Sequence, residues 1–251
     1  MAEYFTDEHL MLRDMVRDFV KNEVEPIAAE IDQEMRFPEE TVQKLGELGL
    51  MGIPYPEEYG GAAMDTVAYA LVVEEIGKVC QSTAITLAAH TSLGTFPIFQ
   101  FGTEDQRRKY LPKLVSGEML GAFGLTEPQA GSDASRTQTT AIDDGDEWVV
   151  NGGKMFMTNA GYAGTIVFTA VTDKDAPRGK GISVFLVEAG TPGLRIGKKE
   201  SKMGWRGSDT RQVFFEEMRI PKSNLLGELH NGYAQFMETL DGGRISIAAL
   251  S

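Results

Sequence analysis

Two short stretches of this chain carry residues suited to holding a planar, phosphate-bearing ligand. In residues 123–132, FGLTEPQAGS, an extended segment runs into Pro128, and Ala130, Gly131 and Ser132 then let the backbone turn tightly. Small residues permit close approach of a ligand, and consecutive exposed N–H groups can form an anion-binding nest. Thr126 and Ser132 add hydroxyls. In residues 151–161, NGGKMFMTNAG, Phe156 offers an aromatic face for a planar ring, with the hydroxyl and N–H of Thr158 beside it. Asp241 and Arg244 stand three residues apart, which on a helix puts them on one face. Each feature also has a plain structural reading: a polar turn after a strand, an aromatic in a strand's core, a surface ion pair worth little. Neither the glycine pattern of a dinucleotide-binding G-x-G-x-x-G nor that of a P-loop is present.

The elements that must position these residues change character along the chain. Residues 1–118 read as helices. Thr6 can cap a helix whose Asp7 and Glu8 suit its positive end, and Leu12, Met15, Val16, Phe19 and Val20 give it an apolar stripe. Pro26 is expected to interrupt or end that segment. Pro38 fits the first turn of a second helix that Gly49 stops, and 52–61, GIPYPEEYGG, reads as a loop dense in breakers. Further helical stretches are expected over 65–79 and 82–100, then a short helix opened by a Thr103/Gln106 capping box and ending near Ser116. From 119 to 226 the period becomes strand-like: TTAIDDGDEWVVNGG reads as a hairpin, and TIVFTAV, GISVFLVE and RQVFFEEMRI as strands. From Asn231 onward the pattern is helical again and still apolar at Ile245, Ile247 and Leu250, so that this face must either pack within the chain or be covered by more of it.

Composition narrows the possibilities. Of 251 residues, 37 are Asp or Glu and 24 Lys or Arg, a net charge of −13, which argues against general binding to nucleic acid. With 42% hydrophobic residues the chain has ample material for a core. No apolar run approaches the ~20 residues of a membrane helix, and the acidic N-terminus lacks a signal-peptide layout, so a soluble, cytoplasmic protein is expected. Cys80 is the lone cysteine, and His9, His90 and His230 have no ligand spacing among them; no metal site is expected.

Taken in order, five pieces of the chain resemble the acyl-CoA dehydrogenase family of flavoproteins, most closely its short-chain, butyryl-CoA-type members. They are EEYGG at 57–61, QFGTEDQRRKYLPKLVSGEMLGAFGLTEPQAGSDA at 100–134, NGGKMFMTNAG at 151–161, KMGWRGSDTRQVFFEEMRIPKSNLLGE at 202–228 and LDGGR at 240–244. The resemblance implies an α+β architecture: an all-helical N-terminal domain (1–118), a β-barrel-like middle domain (119–226) and the start of a C-terminal helical bundle (227–251). It implies FAD as cofactor, with Phe123, Gly124, Leu125, Thr126, Gly131 and Ser132 in one flavin-lining segment and Phe156, Met157 and Thr158 in the other. Backbone groups near Leu125 and Thr126 would face the pyrimidine ring, and Thr158 would hydrogen-bond near N5. Phe156, where many relatives carry Trp, would pack on the isoalloxazine. Ser132 would also touch the acyl-CoA substrate, and Asp241, Gly242, Gly243 and Arg244 would hold its CoA portion.

The implied reaction is α,β-dehydrogenation of a short-chain acyl-CoA to the trans-2-enoyl-CoA, as in fatty acid β-oxidation. A carboxylate takes the α-proton and a β-hydride passes to flavin N5; electron-transfer flavoprotein then accepts the electrons, and the enzyme is a homotetramer. The family's base is a glutamate. In short- and medium-chain members it lies beyond the equivalent of residue 251; in the isovaleryl and long-chain branches it sits just before the LDGGR arginine, where this chain has Gly243. Glu127, Glu238 and Asp241 match neither position, so no catalytic residue is assigned. Two other readings are an FAD- or acyl-CoA-binding fragment without turnover, and an acyl-CoA oxidase, distinguished by peroxide formation. Met51, Phe96, Phe99 and Phe101 could line an acyl pocket or be plain core; His90 could face that pocket or be a satisfied core histidine. The 107–109 run, Arg-Arg-Lys, could be a solvated helix face or a CoA phosphate contact.

Overall fold

A computed structural model describes residues 5–251; residues 1–4 of the expected helical domain lie outside the described part. Helix α1 (Asp7–Phe19) begins at Thr6, whose hydroxyl accepts the His9 N–H while the His9 ring accepts the Thr6 N–H. Pro26 interrupts the regular α-helix, as expected, but does not end the helical segment. A π-helical turn, Val20–Val24, leads directly into α2 (Glu25–Glu34), with Pro26 in its first turn; the missing Pro26 N–H is accommodated where the bonding pattern changes. Pro38 caps α3 (Glu39–Glu47) rather than entering it, and Gly49, at φ +71°, follows as the stop. The loop at 52–61 contains a short 3-10 turn, Glu57–Tyr59, and buries Tyr55 and Tyr59. Asp65 caps α4 (Thr66–Gly77) by accepting the Ala68 N–H.

The single helix expected over 82–100 is three pieces: α5 (Gln81–Ala89), a π-helical turn His90–Thr95, and α6 (Phe96–Phe101). The turn lies against the first strand, β1 (Leu120–Gly124): a Cβ on Gly94 would stand 2.5 Å from the Gly121 carbonyl carbon. His90 reinforces this crossing. Its Nδ1 accepts the Gly121 N–H at 3.0 Å, so Nε2 carries the ring hydrogen and donates it to the Leu114 carbonyl at 3.0 Å. Helix α7 (Glu104–Val115) opens with the expected Thr103/Gln106 capping box.

The remaining strands are β2 (Thr140–Asp144), β3 (Glu147–Thr158), β4 (Ala163–Val171), β5 (Ile182–Glu188), β6 (Leu194–Lys199), β7 (Thr210–Pro221) and β8 (Leu225–Leu226). They form one eight-stranded sheet in the order β6-β7-β3-β2-β4-β5-β8, with β1 running parallel to β4. The β2–β3 hairpin turns at Gly145, φ +72°, as its Asp/Gly sequence predicts. Strand β6, LRIGKK, is an element its weak alternation had hidden. One core lies among the helices, a second within the sheet around Trp148, Phe168, Phe185 and Phe215, and a third between the helical layer and the sheet.

The final helix, α8 (Gly232–Leu250), ties these layers together. Phe236 stacks on Phe123 of β1 with ring centres 4.0 Å apart, and Leu250 is buried against Gly77 of α4. Of its three terminal apolar residues, Leu250 is thus covered within the chain, whereas Ile245 and Ile247 remain exposed. No helix among the described residues is long and apolar enough to cross a membrane.

Candidate functional site

The two stretches singled out by their chemistry meet. Phe123, Leu125 and Thr126, which end β1 and begin the loop after it, line a cavity of about 180 Å³ together with Met155, Phe156 and Thr158 of β3. Ala89, Leu93 and Leu240 close the cavity from the helical side. The same three residues border a second lobe of about 230 Å³, also lined by Ile85, Ser92, Gly243, Arg244 and Ile247. No carboxylate lines either lobe among the described residues.

The backbone of β3 explains why Phe156 reaches this cavity. Up to Lys154 the even-numbered residues Trp148, Val150 and Lys154 face inward. Between Lys154 and Met157 the pairing with β7 slips by one residue, and Phe156 adopts φ +56°. This bulge reverses the alternation: Met157 turns into the core, and the Phe156 ring stands 59% exposed beside the two threonines. The plain reading of Phe156 as a core aromatic is therefore incorrect. The Met155 N–H, displaced from the ladder by the bulge, donates to the Thr126 carbonyl at 2.7 Å and so joins one stretch to the other.

Beneath the junction lies a buried ion pair. Lys154 is fully buried, and its Nζ donates to Glu127 Oε1 at 2.6 Å and to the hydroxyls of Thr137 and Thr169, each at 2.9 Å. The Glu127 carboxylate also accepts the Thr137 hydroxyl and the N–H groups of Gln138 (2.6 Å) and Thr139 (3.2 Å). Burial pushes the Lys154 ammonium down to about 8, opposed by the Glu127 charge and hydrogen bond. Burial pushes the Glu127 carboxyl up, but the Lys154 charge and the surrounding donors outweigh it and hold it below the usual range. Lys154 is a residue the sequence reading missed. The signal was available: it keeps the inward parity of Trp148 and Val150, and an inward lysine must have a partner. Asp209 was missed as well; it accepts the Gly161 N–H at 2.7 Å and so anchors the end of the second stretch.

Other members of the expected sites stand apart from the cavity. Met157 is buried in the core, and Gly124 packs under it: a Cβ there would lie 2.5 Å from the Met157 methyl and 2.9 Å from Lys154 Cγ. Gly131 and Ser132 are exposed beyond the 127–130 turn and line neither lobe. Asp241 and Arg244 form an ion pair with both side chains about two-thirds exposed; Arg244 borders the second lobe, and Asp241 and Gly242 do not. Gly243 allows close packing, since a Cβ would meet Leu93 at 3.0 Å. Met51 is fully buried, and Phe96, Phe99 and Phe101 line neither lobe; His90 is a satisfied core histidine. Arg108 and Lys109 are engaged in ion pairs with Glu104 and Glu188.

A separate cleft of about 380 Å³ opens at the head of α8, where no side chain caps the helix. Ser135, Arg178, Lys180, His230 and Tyr233 line it, and Asp133 pairs with Arg178. Its cationic groups and aromatic ring suit a phosphate attached to a planar base.

Fold and cleft define an α+β chain whose helical layer, sheet and final helix enclose a two-lobed apolar site. Profiles described as the acyl-CoA dehydrogenase N-terminal domain and middle domain match residues 6–118 and 122–218. The chain belongs to the acyl-CoA dehydrogenase family, which uses FAD. It is 54% identical over 246 residues to a probable acyl-CoA dehydrogenase of Bacillus subtilis, YngJ, covering 98% of this chain and 65% of that protein. It is 51% identical over 244 residues to the short-chain specific acyl-CoA dehydrogenase of Clostridium acetobutylicum, covering 97% and 64%. The butyryl-CoA dehydrogenase structure from Megasphaera elsdenii matches with a TM-score of 0.96 at 42% identity, over all of this chain and 66% of that one. The chain thus spans about 65% of the length of these curated relatives.

Proposed function

We propose that this chain carries the flavin- and thioester-holding part of a short-chain acyl-CoA dehydrogenase. The observation that carries this reading is the cavity where Phe123, Leu125 and Thr126 meet Phe156 and Thr158. An exposed aromatic face flanked by two hydroxyl-bearing residues on an otherwise apolar wall fits a planar heteroaromatic ring. In this reading residues 1–118, 119–226 and 227–251 are a helical domain, a sheet domain and the first part of a second helical domain.

When bound, FAD supplies the hydride acceptor for conversion of a short-chain acyl-CoA to its trans-2-enoyl product. Phe156 gives the ring a stacking surface, and Thr126 and Thr158 orient its polar edge. Ala89, Leu93, Leu125 and Leu240 exclude water from the face where the acyl chain would lie. In this reading Gly124, Met157, Gly131 and Ser132 belong to the flavin segments, Ser132 also meets the acyl-CoA, and the Asp241–Arg244 segment, of which Gly243 and Arg244 border the second lobe, holds its CoA portion. Arg178 and Lys180 offer charge to the phosphates of CoA. In this reading the protein is a cytoplasmic homotetramer that hands electrons to electron-transfer flavoprotein.

One observation favours a second reading, binding without turnover: among the described residues neither lobe has a carboxylate to take the α-proton. An anaerobic visible spectrum of the purified chain with FAD, before and after butyryl-CoA, separates the two. Bleaching of a bound flavin band means that a base reaches the site and the chain turns over. A bound band that butyryl-CoA leaves unbleached supports the binding reading, and failure to retain FAD at all refutes both for the isolated chain.

A further inference from the structure

Two stretches far apart in the chain must hold a fixed relation for the cavity to keep its shape, and the backbone gives them one cross-link, Met155 N–H to Thr126 carbonyl. That bond comes from a bulged strand carrying a non-glycine residue at φ +56°, a conformation that persists only where its surroundings impose it. The residue on the inner side of the bulge is Lys154, and the residue following Thr126 is Glu127. We propose that the buried Glu127–Lys154 ion pair positions the candidate cofactor site. It pins the Met155–Phe156 bulge to Thr126 and thereby sets where the Phe156 ring stands.

The geometry argues for positioning over mere stability. Three of the ammonium's neighbours, Glu127 Oε1, Thr137 Oγ1 and Thr169 Oγ1, lie within 2.9 Å, one for each of its hydrogens. A tripod of this kind fixes Nζ in all directions and draws on three separate parts of the chain. The Lys154 stem crosses directly over Gly124, where a Cβ would lie 2.9 Å from Cγ, so the lysine also registers β3 against the end of β1. A buried ion pair is commonly no more stabilising than apolar residues of the same volume, because both charges lose their hydration. What apolar residues cannot supply is a directional bond from β3 to residue 127, next to the carbonyl that receives the Met155 N–H.

This inference rests on the cavity being the flavin site, and the test separates the two ideas. The double variant Glu127→Gln/Lys154→Met removes both charges together, while the glutamine oxygen can still accept from Gln138 and Thr139. The expected result is a melting temperature close to the parent's. Hydrogen exchange at the Met155 amide should be about tenfold faster, with the Val167 amide of β4 unchanged. FAD affinity should fall about tenfold and the resolved shoulders of the bound-flavin band should blur. A purely structural pair predicts otherwise: once stability is retained, exchange and flavin spectrum match the parent, and that result overturns the proposal. If the double variant fails to fold, Thr169→Val removes one leg of the tripod and must still speed exchange at Met155; parent-like exchange there overturns the proposal. If exchange accelerates but the parent itself never binds FAD, the bulge is pinned as inferred and the flavin reading is what fails.

Discussion

Acidification should loosen the junction between helices and sheet by a predictable amount. His90 is completely buried at the π-helical turn, and its two nitrogens are committed to opposite roles: Nε2 donates to Leu114 and Nδ1 accepts from Gly121. A second ring proton would face the Gly121 N–H in a site closed to water. Burial accordingly lowers this imidazole from its ordinary 6.5 to about 4, with the Leu114 hydrogen bond opposing only in part. Between these values the unfolded chain binds a proton that the folded chain refuses, so stability is lost as the pH falls through that window. A displacement of 2.5 pH units corresponds to about 3 kcal/mol at most, of which about 2–3 kcal/mol is lost by about pH 4.5. Urea titrations at about pH 7.5 and about pH 4.5, on the parent and on His90→Gln, measure it. The variant should be weaker at neutral pH yet lose about 2–3 kcal/mol less than the parent on acidification. Carboxylates held below their ordinary range, such as Glu40 beside Arg36 and Asp65 at the head of α4, also lose stabilisation in acid. They do so in both proteins and cancel from the comparison. Equal losses in parent and variant would refute this account of His90.

Three further substitutions probe the same framework. Gly94→Ala should cost at least about 3 kcal/mol in thermal melts, because its Cβ would enter the backbone of Gly121, which has no room to yield. Gly242→Ala should instead stabilise by about 0.5–1 kcal/mol: it lies inside α8 with nothing within 4 Å of its Cβ, and a destabilised melt would contradict this. Phe156→Ala should leave stability within about 1 kcal/mol, since the ring is mostly exposed, but weaken FAD binding roughly three- to tenfold in a fluorescence titration through lost stacking. Unchanged FAD affinity would remove Phe156 from the proposed site.

Much of the fold was legible because it is written in local chemistry. The Thr6 and Thr103 caps, the Gly49 stop and the Gly145 hairpin each depend on a few adjacent residues, and each forms where the sequence places it. What escaped is settled by distant partners. Pro26 marks an interruption in the α-helix, but not its form: a π-helical turn ahead of it keeps the segment helical. The 82–100 stretch reads as one helix because nothing nearby announces that Gly94 must meet the backbone of Gly121. Strand β6 has too weak an alternation to be seen, and its pairing with β7 decides it.

The candidate site shows the same division more sharply. Residue types in both stretches were readable, and the cavity unites six of them; which way each side chain of the second stretch points depends on counting residues along β3. An unbroken strand continuing the parity of Trp148, Val150 and Lys154 would bury Phe156 and expose Met157. One extra residue between Lys154 and Met157 reverses both outcomes. The bulge is opposed by the left-handed backbone at Phe156 and is held by contacts from residues 126, 127, 137 and 169, none of them in β3. An inward lysine in an otherwise apolar strand is the mark such an arrangement leaves in the sequence. Its burial is tolerable only with partners already in place, so Lys154 signals that another segment has been brought to a fixed position beside it. The ring that would face a cofactor is thus aimed by a residue two positions earlier that points the opposite way.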